Sequence, residues 1–63
     1  MTTTVNVTGH DHYIAGLVKT HRFLIASKER FSEGDWNVTL TDEKAADKFI
    51  DACDALDLKT VLV

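Results

Sequence analysis

Residues 11–21, DHYIAGLVKTH, decide how this chain folds. As a helix capped by Asp11, the segment lines up Tyr13, Ile14, Leu17, Val18 and His21 on one side, the spacing of an amphipathic helix. As a strand, it would turn back on residues 3–8 through a GHDH loop. The helical reading is preferred, against the cost of about 1 kcal/mol that an interior Gly16 brings.

The flanking segments are easier to read. In TDEKAADKFIDACDAL, residues 41–56, Thr41 serves as an N-cap and Asp42 and Glu43 fall in the first turn, where the helix dipole favours acids. Ala46, Phe49, Ile50, Cys53 and Leu56 then recur at helical spacing. Ahead of this helix, DWNVTLT alternates Trp36, Val38 and Leu40 with polar residues, the period of a strand with one face buried. After it, KTVLV reads as a short strand, and TTVNVT near the start alternates in the same way, with Thr3, Val5 and Val7 on one face.

RFLIASKERF, followed by a turn at Glu33-Gly34, predicts a hairpin with the Trp36 strand. The expected register sets Phe31 opposite Trp36, Glu29 opposite Val38 and Ser27 opposite Leu40. Phe23, Ile25 and Phe31 would then face the core, with only Glu29 out of place. Together the elements predict a single α+β domain over residues 1–63 in βαββαβ, or ferredoxin-like, order with an antiparallel sheet. The alternative, if residues 11–21 are a strand, is an antiparallel meander covered by the C-terminal helix alone.

Composition narrows the function classes. At 63 residues, 44% hydrophobic, the chain supports one thin core. No apolar run approaches the roughly 18 residues of a membrane span, and MTTTVNV lacks a signal-peptide pattern, so a cytoplasmic protein without membrane attachment is expected. The single Cys53 forms no internal disulfide and lies on the apolar stripe of the C-terminal helix, a core position rather than a nucleophile's. The net charge of −3 divides into +1 over residues 1–33 and −4 over residues 34–63. That distribution, together with an open sheet face expected to carry Thr4, Asn6, Thr8, Leu24, Ala26, Lys28, Asn37 and Thr39 but no aromatic, argues against nucleic acid as a partner.

Two clusters carry the remaining chemistry. His10, Asp11 and His12, with His21, are weak candidates for metal ligands, but no further ligand stands at a zinc-finger or metalloprotease offset. Helix capping gives Asp11 a sufficient role, and no metal or cofactor is expected. No phosphate-binding, dinucleotide or hydrolase motif occurs, so an enzyme is not expected either.

The second cluster is Glu43, Asp47, Asp51 and Asp54, which fall within roughly 80° of one another on the C-terminal helix. This acidic ridge predicts a binding strip for a larger protein with a basic surface. The expected function is a small interaction protein, an accessory factor or inhibitor of the kind phages and mobile elements use. The other readings are a metal- or small-ligand-binding module built on the His-Asp-His segment, and a structural subunit that forms homo-oligomers through its edge strands.

Overall fold

In a computed structural model describing residues 1–63, the chain forms β1 (Thr3–Thr8), α1 (Asp11–Thr20), β2 (Ile25–Ser32), β3 (Asp35–Leu40), α2 (Glu43–Ala55) and β4 (Lys59–Leu62). A single 3-10 turn, Arg22–Leu24, joins α1 to β2. The four strands make one antiparallel sheet in the order β2-β3-β1-β4, packed with two helices in an α+β architecture. Residues 11–20 are helical, so the single-helix meander is ruled out.

The alternation of β1 and β3 explains where the core sits. Val5, Val7, Val38 and Leu40 have no solvent exposure, and both helices cover the face they share. From α1 come Ile14 and Val18; from α2 come Ala45, Ala46, Phe49 and Cys53. Tyr13, on the expected apolar side of α1, lies at the margin and is about half exposed. Phe49 is the largest fully buried side chain, and His21 sets its ring edge-on to it with centroids 5.9 Å apart. The opposite sheet face is polar and internally bonded. Thr4 and Thr39 hydroxyls meet at 2.9 Å, and the Asn6 amide donates to Asn37 at 2.8 Å and to Asp35 at 3.0 Å.

The helix caps differ from the expected ones by one residue each. Asp42, not Thr41, caps α2, its Oδ1 accepting the Ala45 N–H at 2.8 Å. In α1 the N-cap position is His10, which makes no side-chain cap bond, and Asp11 is the first helical residue with its carboxylate engaged elsewhere.

The hairpin register also differs. The turn falls at Glu33-Gly34 as expected, but Arg30 lies opposite Trp36, Lys28 opposite Val38 and Ile25 opposite Leu40, with irregularities between Ile25 and Ser27 and between Arg30 and Ser32. Each bulge inserts one residue and moves the side chains between them to the other face. Consequently Phe31 is exposed, Phe23 in the 3-10 turn is 83% exposed, and only Ile25 of the three packs against the core. The misfit at Glu29 disappears, because Glu29 now pairs with Asn37 on the open face. Ser27 and Glu29 therefore take places on that face that Ala26 and Lys28 were expected to hold, and Leu24 belongs to the 3-10 turn.

Candidate functional site

The His-Asp-His segment is a structural joint. Gly9 ends β1 with φ +146°, and its N–H donates to the Gly34 carbonyl at 3.0 Å, bringing the end of β1 against the β2–β3 turn. Gly34 itself has φ +79°, and a Cβ there would run into the Gly9 carbonyl oxygen. Both positions require glycine. Asp11 locks the same junction, its Oδ1 accepting from Trp36 Nε1 at 2.8 Å, Gly34 N–H at 2.9 Å and Arg30 Nε at 3.0 Å. The Gly34 amide first and the Trp36 indole second, with a smaller contribution from the Arg30 guanidinium, outweigh the opposing effect of burial and lower the Asp11 carboxyl from 3.8 to about 2.

Arg30, Gly34 and Trp36 are the partners that sequence reasoning missed. One signal pointed to the tryptophan alone: a partly buried strand tryptophan needs an acceptor for its indole N–H.

The histidines are not gathered around this carboxylate. His10 stacks on Tyr13 at 4.7 Å, and His12 stands edge-on to His10 at 6.4 Å. His21 lies at the far end of α1, where its Nδ1 bonds to the Leu17 carbonyl at 3.0 Å. His10, Asp11 and His12 line one open cleft with Glu33 while His21 lies apart, and no three histidine, cysteine or acidic side chains come together at metal-binding geometry.

Cys53 is fully buried, and burial, reinforced by the negative charge of Asp54, pushes its thiol up to about 11. In that setting it packs as a small apolar group.

Glu43, Asp47, Asp51 and Asp54 lie on α2, and all four are exposed. None forms an ion pair; the one salt bridge of the molecule joins Arg30 to Asp11. Lys44 and Lys48 lie on the same helix, exposed and equally unpaired. The amino-terminal half of the ridge borders the sheet edge: Glu43 and Asp47 line an open cleft with Thr3, Ala46 and Leu62. Chemically this is an electronegative strip beside an apolar rim, suited to cationic side chains with apolar stems.

No helix is long and apolar enough to cross a membrane. Comparison with protein-family models, with curated proteins and with solved structures finds no match to this chain.

Proposed function

We propose that this chain is a small non-enzymatic interaction module that binds a larger protein with a basic surface through the acidic ridge of α2, acting as an accessory factor or inhibitor in the cytoplasm. The observation that carries this reading is the set of four exposed carboxylates, Glu43, Asp47, Asp51 and Asp54, on one helix with no cation of the chain paired to any of them. Like charges at this spacing cost about 0.2–0.5 kcal/mol per adjacent pair, a cost that an external cationic surface removes. A ferredoxin-like arrangement, supported by the βαββαβ order and the β2-β3-β1-β4 sheet, would hold the ridge rigidly beside the sheet edge.

The test is affinity capture from cells of the native host, with binding partners identified, using the wild type and the variant E43Q/D47N/D51N/D54N. Retention of a partner with a basic surface by the wild type, falling as salt rises and lost in the folded variant, supports the reading. Equal retention by both removes the ridge from the mechanism.

A further inference from the structure

The two edges of the sheet are built differently. β2 is irregular at both ends and carries Lys28 and Arg30 on its helix side, two devices that discourage strand addition. β4 has neither. The Val63 N–H donates to the Thr4 carbonyl at 3.0 Å, and the register pairs Val61 with Asn6 and Lys59 with Thr8. In an antiparallel ladder alternate residues face the partner, so the N–H and C=O groups of Thr60 and Leu62 point out from the sheet. Around these free groups the edge is apolar: Val61 is 62% exposed on the open face, and Leu62 is 64% exposed on the helix side.

We infer that the β4 edge takes an extended segment of the basic partner as a fifth strand, a proposal that rests on the acidic-ridge reading and specifies how the partner is held. Leu62 shares its cleft with Glu43 and Asp47, so two acids of the ridge stand beside the free edge. α2 begins beside Leu62 and ends just before Lys59, so it runs antiparallel to β4, with Glu43 and Asp47 at the Leu62 end. A strand added at the usual spacing of about 4.8 Å directs alternate side chains to the helix side. Lysine or arginine at those positions lays its stem on Leu62 and its charge against Glu43 and Asp47, while small β-branched residues at the others meet Val61.

Charge selects this occupant over a second copy. Two β4 edges paired antiparallel place their helices on the same side, with the two acidic ridges facing each other. The basic strand of this chain, β2, has Arg30 tied to Asp11 and is bulged at both ends.

The experiment is amide-resolved NMR and titration with a capped peptide of alternating lysine and valine, beside a block peptide of the same composition. The proposal expects the alternating peptide to bind more tightly, and the Thr60 and Leu62 amides to gain hydrogen-exchange protection on binding. Thr60→Pro should weaken binding about tenfold while Thr60→Val does not, because proline removes only an outward N–H and leaves the ladder to β1 intact. If Thr60→Pro fails to fold, protection of the two wild-type amides decides the matter.

Salt-sensitive binding that Glu43→Gln and Asp47→Asn weaken, but with both amides unprotected and no preference for alternation, overturns the strand proposal and leaves the ridge reading standing. Absence of salt-sensitive binding to either peptide overturns both. Protection that rises with protein concentration and no peptide overturns the proposal in favour of self-pairing.

Discussion

Asp11 and the acids of α2 are the same chemistry put to opposite uses. Asp11, at the first turn of α1, spends one carboxylate oxygen on three donors from β2, β3 and the turn between them. Glu43, at the first turn of α2, and Asp47, Asp51 and Asp54 behind it have no such donors and stand in solvent. A carboxylate consumed by internal donors holds the fold together, whereas one left without a partner is free for another molecule. The difference gives Asp11 a structural role and leaves the acids of α2 available for the contact proposed above.

The joint side of this comparison is easiest to break at Gly34. Gly34→Ala forces a left-handed backbone on a residue with a Cβ and pushes that Cβ into the Gly9 carbonyl, and should cost roughly 1–3 kcal/mol in denaturant unfolding. Asp11→Asn comes next, with a pH signature. Because folding lowers the Asp11 carboxyl from 3.8 to about 2, its stabilisation is complete above the higher value and is lost as pH falls through the lower one. The variant should therefore be less stable than the wild type at neutral pH, and the two stability curves should converge between pH 3.8 and about 2. Curves that stay parallel through that window would show that Asp11 does not hold the hairpin through its charge. Gly16→Ala should act in the other direction by about 0.5–1 kcal/mol, since Gly16 is exposed in mid-helix with no atom near the added methyl. It leaves the joint untouched, so its pH profile should match the wild type's.

How much of this was legible in the sequence follows the range of the forces involved. α2, β1 and β3 were readable because Phe49 and Cys53 recur with helical spacing and Val5, Val7, Val38 and Leu40 alternate, and burial acts on those periods directly. Helix α1 was readable for the same reason, through Ile14 and Val18, despite Gly16. The register of β2 was not, because a bulge leaves no local mark in a sequence. Phe31 invited an inward assignment that Arg30 takes instead, drawn by a carboxylate 19 residues away. The work of Asp11 was hidden likewise: local rules make an acid at a helix start a cap, and only the folded chain brings the Trp36 indole and the Gly34 amide to it. The acidic ridge could be placed in advance because helical geometry alone defines it, but the approach of Glu43 and Asp47 to Leu62 depends on the packing of α2 on the sheet.

The division between the two sets of acids is tested most directly by denaturant unfolding, at neutral pH and low salt, of the variant E43Q/D47N/D51N/D54N. If the ridge does no structural work, removing its mutual repulsion leaves stability unchanged or raises it by up to about 1 kcal/mol, with the unfolding slope unaltered. A loss of stability comparable to that of Asp11→Asn would contradict the account, because it would show that the acids of α2 hold this fold rather than await a partner.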